Sequence, residues 1–327
     1  MIPQVSICIP TYNGERWLRD CLESALACTA DCEVLIVDDG SSDGTVALSN
    51  EYAQRDKRVR VFVNEKNLGL TGNWNRCLEL AKGVWIKFLF QDDVLGPRAV
   101  ELLLEAARPE DQLLAAHRNY VFGENASEEA KQYYRREVLT LDRLAPGGQL
   151  FSAQQIVSFA AAHPTINFIG EPSTVMFRRK LVEVIGNFDT SLKQVCDLEY
   201  WIRIASRYGL HHVLQSRVDF RVHGESVSAQ NAGGRKYVST YLDPVRMVNA
   251  QLHAPSYEVF RKQLSSAENK RLQLWLRMRA YEAKRAAADE SSREELKKLF
   301  AEFPALEKLA GKLLNGFLFR LLQLRRG

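Results

Sequence analysis

The chain has 327 residues, 26% charged and 46% hydrophobic, an ordinary globular composition with room for one large α/β domain plus an appendage, or for two domains. Its formal net charge of +4 is too small to point to nucleic acid. "MIPQVSICIP" has no basic leader, no apolar run approaches the roughly 18 residues that span a bilayer, and the six cysteines show no paired spacing, so a cytoplasmic protein with reduced thiols is expected.

In chain order, "VSICIP" reads as a buried strand ending in the turn "TYNGE". "WLRDCLESALA" then repeats Leu18, Leu22 and Leu26 at helical spacing. "CEVLIVDDGSSDGT" is a second buried strand with a polar turn, followed by a helix, the strand "VRVFVNEKNLG" and the helix "TGNWNRCLELAKG". A fourth strand, "VWIKFLF" from Val84 to Phe90, runs straight into Asp92 and Asp93. Strand, loop and helix in alternation predict an α/β fold with a mostly parallel sheet flanked by helices. Ligands of such sheets bind beyond the carboxyl ends of the strands, which places Thr11–Asn13, Asp38–Asp43, Asn67–Gly69 and Gln91–Asp93 around one crevice.

The middle of the chain is less regular. "DQLLAAHRNYVF" reads as strand, "ENASEEAKQYYRRE" as an exposed charged excursion, and "LAPGGQLFSAQQIVSFAAAHP" as a loop and helix. "STVMFRRKLVEVIGNFD" predicts a short strand and a helix, "DLEYWIRIASRYG" an amphipathic helix with Leu198, Trp201, Ile202 and Ala205 inward, and "HHVLQSRVDFRVHGESVSAQN" a strand. From about Tyr241 the pattern is helical. Residues 240–327 carry 17 Lys/Arg against 10 Asp/Glu, leaving the first 239 residues slightly acidic. In the last stretch Leu306, Leu313, Phe317, Leu321 and Leu324 share a face, with Lys308, Lys312, Arg320, Arg325 and Arg326 off it. Two readings stay open: a basic helix lying on an anionic membrane surface, or one packed on its own domain or on a second copy in a homo-oligomer.

Two adjacent carboxylates at a strand end have a bland explanation, a helix N-cap, and a sharper one, a metal site. A cap needs one Asp, so the second calls for the cation. Asp38–Asp43 admit the same bland reading, a capping turn.

The segments "PTYNGERWLRDCLESAL", "VLIVDDGSSDGT", "NLGLTGNWN", "FQDD" and "GNFDTSLKQVCDLEYWIR", in that order, resemble glycosyltransferase family 2, inverting enzymes of the Rossmann-like GT-A fold that use nucleotide-diphosphate sugars. The resemblance covers roughly residues 3–230. It implies a GT-A domain over 1–235, with a nucleotide-binding half to residue 100 and an acceptor-binding half after it, and a helical extension over 236–327. Pro10, Thr11, Tyr12, Asn13, Asp38, Asp39, Asn67, Gly69, Asn75, Gln91 and Asp92 then fall at nucleotide-binding positions. Tyr12 takes the base-stacking place, and Asp38 or Asp39 accepts an imide N–H, which favours UDP- or dTDP-sugars over cytidine donors.

The resemblance further implies Mn²⁺ or Mg²⁺ held by Asp93 or Asp92 with His223, offsetting charge on the departing diphosphate. Asp197 is the implied general base, with Glu199 its local competitor, and Glu171 and Ser173 are candidates for acceptor or donor-sugar hydroxyls. Three positions depart from the usual pattern. Phe90 stands where relatives place a further Asp, which leaves Gln91 as the substitute contact; Trp74 replaces Arg, and Cys196 replaces Glu.

The processive-synthase signature is missing, so one sugar per encounter is expected, on a glycan or lipid-linked acceptor of surface-polysaccharide assembly at the cytoplasmic membrane face. The alternatives are a degenerate scaffold, motivated by the three departures, and a sugar nucleotidyltransferase, which needs a basic Gly-rich loop where "PTYNGER" stands. A dinucleotide oxidoreductase is excluded for want of G-x-G-x-x-G after any strand.

Overall fold

A computed structural model describes residues 2–224 and 237–311. The first half alternates as expected: β1 (Val5–Thr11), α1 (Glu15–Leu26), β2 (Cys32–Asp38), α2 (Thr45–Arg55), β3 (Val59–Val63), α3 (Leu70–Leu80) and β4 (Trp85–Phe88). β1 and β2 are buried at every residue, which is why they read as unbroken apolar runs: helices cover both faces of this parallel part of the sheet. β1 pairs in parallel with β2 and β4, and β2 with β3. On α1, Leu18, Cys21, Leu22 and Ala25 form the buried stripe, while Leu26 is only half-buried.

After β5 (Val94–Leu95) and α4 (Ala99–Ala106) the topology changes. β6 (Leu113–Phe122), the short β7 (Leu150–Phe151), β8 (Val175–Arg178) and β9 (Leu210–Val222) extend the sheet in the order β3-β2-β1-β4-β8-β6-β9-β5, with β7 on β9. β8 runs antiparallel to both β4 and β6, whereas β6 and β9 are parallel. The sheet is therefore parallel over its first four strands and mixed beyond them.

The excursion after β6 holds α5 (Glu128–Gln132), a π-helical turn at Tyr133–Glu137 and α6 (Leu141–Leu144). It is not simply exposed. Tyr134 folds back to 4.8 Å from the Tyr120 ring and 5.9 Å from Phe220. Next come α7 (Ala153–Ala162), α8 (Leu181–Ile185) and α9 (Cys196–Tyr208). The stripe expected on α9, Leu198, Trp201, Ile202 and Ala205, is buried, and so is the rest of the helix from Leu198 to Ser206. The C-terminal helices cover its second face, where Tyr257 and Gln263 donate to the backbone carbonyls of Glu199 and Ser206.

Those helices (Asp243–His253, Glu258–Gln263, Ser266–Ala286, Glu290–Glu302, Pro304–Gly311) place Val245, Leu272, Leu276, Leu299 and Leu306 in the same apolar core as Phe177, Tyr200 and Trp201. Residues 304–311 thus pack on their own chain; Leu313, Phe317, Leu321, Leu324 and the basic residues from Lys312 onward lie outside the described residues. Among the described residues no helix is long and apolar enough to cross a membrane.

Candidate active site

The carboxyl ends of β1, β2 and β4, the start of α3 and the start of α9 surround a cavity of about 650 Å³. Pro10, Thr11, Tyr12, Asn13, Asp39, Asn67, Gly69, Gln91, Asp92, Glu171, Asp197 and His223 line it, so most of the expected residues meet in one place. The ring of Tyr12 is 51% exposed at the rim. Asn13 takes a left-handed φ of 47°, and its Oδ1 accepts from the Ser42 amide, tying the first loop to the second.

The two aspartates after β2 divide their work. Asp38 is fully buried and turned inward, accepting from Thr11 Oγ1 and from the amides of Gly40 and Ser41. It shapes the loop. Asp39 faces the cavity, its oxygens fixed by Asn64 Nδ2, the Leu68 amide and the Gly69 amide at 2.8–2.9 Å.

"FQDD" delivers its groups in an unequal way. Asp92 opens into the cavity, with Oδ2 3.0 Å from His223 Nε2. Asp93 is 1% exposed, does not line the cavity, and accepts from the Arg221 amide through Oδ1. Burial, and then the charge of Asp92, holds its carboxyl well above the ordinary value. The end of β9 is therefore clamped to both carboxylates. The Trp17 ring lies 5.1 Å from His223, and the Arg221 guanidinium lies 4.4 Å over the Trp17 ring. A carboxylate oxygen and an imidazole nitrogen meeting at a cavity wall fit Mn²⁺ better than Mg²⁺, which prefers oxygen alone.

Below the strand lies a charge the sequence hid inside an apolar run. Lys87 is fully buried, with Nζ donating to the carbonyls of Phe88 and Ser173. Burial pulls it down to about 7, against the opposing charge of Asp93.

Asp197, at the start of α9, also lines the cavity. Asn167 Nδ2 donates to its Oδ2 at 2.7 Å, and the Leu198 amide to its Oδ1 at 2.7 Å. Burial raises this carboxyl to about 7, and neighbouring Glu171 adds to the rise. Glu171 is itself held at 3.3 Å by Arg118, which also donates to the carbonyls of Asn167 and Phe168. Arg118 and Asn167 were not singled out by sequence. The only signal for Arg118 is a cation in the apolar run of β6.

Three more expected residues point elsewhere, and a fourth is engaged by the backbone. Asn75 exchanges two hydrogen bonds with the backbone of Phe188. Ser173 is fully buried and accepts from the Phe90 amide. Glu199 is buried against Arg203 and the Tyr257 hydroxyl. Gln91 reaches the cavity, yet its amide clasps the backbone of Tyr12 in both directions, so it is not left over for a sugar. The departures at 74 and 90 lie against each other: the Trp74 and Phe90 rings are 5.1 Å apart, with Phe188 5.2 Å from Trp74. An aromatic floor occupies the place where the family resemblance leads one to expect a carboxylate and a guanidinium.

The family model "Glycosyl transferase family 2" matches residues 6–185. An uncharacterized protein of Mycobacterium tuberculosis is 33% identical over 70% of this chain and 68% of its own length. Chondroitin synthase of Escherichia coli is 28% identical over 69% of this chain, a stretch that spans only 30% of that enzyme. Among solved structures, Staphylococcus aureus TarS 1–349 in complex with UDP-GlcNAc has a TM-score of 0.61 at 17% identity, covering 94% of this chain and 82% of its own. The mannosyltransferase PcManGT of Pyrobaculum calidifontis, in complex with GDP-Man and Mn²⁺, has a TM-score of 0.57 at 16% identity, covering 95% of this chain and 84% of its own.

Proposed function

The chain belongs to glycosyl transferase family 2 and is a glycosyltransferase; we propose that it moves one sugar, with inversion, from a UDP- or dTDP-sugar to a hydroxyl of a glycan or lipid-linked oligosaccharide in bacterial-type surface polysaccharide assembly. One observation carries the reading. A carboxyl raised to about 7, Asp197, and the Asp92–His223 pair open into the same cavity.

Asp197 takes the proton of the acceptor hydroxyl while that oxygen attacks the anomeric carbon, and the bond to the diphosphate breaks. A base whose proton affinity is matched to neutral pH serves this step best. Asn167 and the Leu198 amide hold the carboxylate in place, and Glu171 stands beside it for a sugar hydroxyl. Asp92 and His223 would hold Mn²⁺ or Mg²⁺, which neutralises negative charge on the leaving diphosphate. Asp39 is the acceptor for an imide N–H of uracil or thymine, and Tyr12 the stacking ring. UDP-GlcNAc in the TarS complex and Mn²⁺ in the mannosyltransferase complex support the donor class and the cation. The excess of Lys/Arg after residue 240 supports a peripheral contact with an anionic membrane surface.

The test is donor hydrolysis, screened over UDP-, dTDP- and GDP-sugars with Mn²⁺ and with EDTA. Turnover is expected with a UDP or dTDP donor, and its loss in EDTA and in Asp92→Asn. No turnover together with no metal-dependent nucleotide binding refutes the proposal.

A further inference from the structure

Away from the cavity, the described residues hold one other group with metal-ligand chemistry: His117 on β6, His212 on β9 and Asp142 on α6. One ligand atom of each lies within 4.8 Å of the others. His117 Nδ1 is 3.3 Å from Asp142 Oδ2, and His212 Nδ1 is 3.7 Å from Asp142 Oδ1. His212 is 3% exposed, and its Nδ1 has no hydrogen-bond partner, since 3.7 Å is too long for one. The imidazole donates instead to the Gly148 backbone. With Nδ1 unpartnered, that proton belongs to Nε2, which leaves the Nδ1 lone pair available 3.7 Å from Asp142. A ring fixed by a backbone carbonyl on one nitrogen, with the other free, is the arrangement of metal-ligating histidines.

Leaving a buried acceptor unpaired costs about 1–3 kcal/mol, which a cation between the three groups would offset. Ligand atoms about 2.0–2.2 Å from a tetrahedral ion lie roughly 3.3–3.6 Å from one another; the 3.3 and 3.7 Å separations run to different oxygens of Asp142, so a small turn of that half-exposed carboxylate would bring one oxygen to both imidazoles. The charge of nearby Arg118 is offset by Glu171. We propose that His117, Asp142 and His212 form a second metal site, of the zinc class, that fastens α6 to the paired strands β6 and β9. Two imidazoles and a carboxylate select zinc over magnesium and leave a fourth position for water at the half-exposed His117 and Asp142.

The probe is Zn²⁺ alone, titrated calorimetrically into chelator-stripped full chain carrying Asp92→Asn, which takes the cavity out of the measurement. One equivalent is expected. Binding weakens by more than the roughly 10- to 100-fold typical of losing a supporting partner when His117→Ala, a partly exposed position whose loss spares the core, is added. Millimolar Mg²⁺ does not compete, and Co²⁺ in place of Zn²⁺ gives the intense visible absorption of a tetrahedral site. Equal zinc affinity with and without His117→Ala, no binding at all, or octahedral cobalt would overturn the proposal; Asp142→Asn repeats the comparison at a second ligand.

Discussion

Replacing Asp197 by Asn separates catalysis from stability in opposite directions. The carboxyl titrates at about 7 against an ordinary 3.8, chiefly because it is buried. Holding it ionised in the fold therefore costs roughly 4 kcal/mol. The sign follows from the direction: a raised carboxyl favours the folded state below the unfolded value, and that stability is lost as pH rises through 7. Asn cannot ionise, but it has one acceptor for two donors, Asn167 Nδ2 and the Leu198 amide. Losing one of those bonds costs about 1–2 kcal/mol. At pH 8 the variant should be more stable than the parent by about 2–3 kcal/mol, and at pH 4, where the unfolded carboxyl is only partly ionised, less stable by about 1 kcal/mol. Thermal unfolding at the two pH values reads this as a change of sign in the Tm difference. Sugar transfer should fall by about 10²–10⁴, while nucleotide binding with Mn²⁺ stays unchanged. Retained transfer would remove Asp197 as the base, and a Tm difference independent of pH would refute the burial account.

Arg118→Met leaves Glu171 without its cation, at a cost of about 3–5 kcal/mol in urea unfolding. Because Arg118 lowers and Glu171 raises the Asp197 carboxyl, the acid limb of the pH–rate profile should also move to higher pH. Tyr257→Phe removes the hydroxyl that donates to Glu199, which costs about 1–2 kcal/mol by the same method. Turnover below the unfolding range should be unaffected, since Glu199 lies outside the cavity; a lower kcat would return Glu199 to the site.

What the sequence made legible was position along the strands. Tyr12, Asp39, Asp92 and Asp197 follow or face strand ends, and a polar residue there has a crevice to meet. It did not reveal which way a polar side chain turns. Asp38 and Asp39 are adjacent and chemically identical, yet a threonine and two amides capture the first while the second faces the cavity. Asn75, Ser173 and Glu199 failed as site residues for the same reason: their partners Phe188, Phe90 and Tyr257 lie 58–113 residues away. The second face of α9 looked polar enough for water because the helices that cover it come fifty residues later.

The contact between Trp74 and Phe90 also restricts the mutational routes open to this chain. A lineage returning to the charged arrangement of its relatives must change two positions 16 apart in sequence but 5.1 Å apart in space. Asp at 90 alone would face an indole, and Arg at 74 alone would be a buried cation among Phe88, Phe90 and Phe188. The two positions are thus coupled: a charged substitution at one is expected to be tolerated only together with its counterpart at the other.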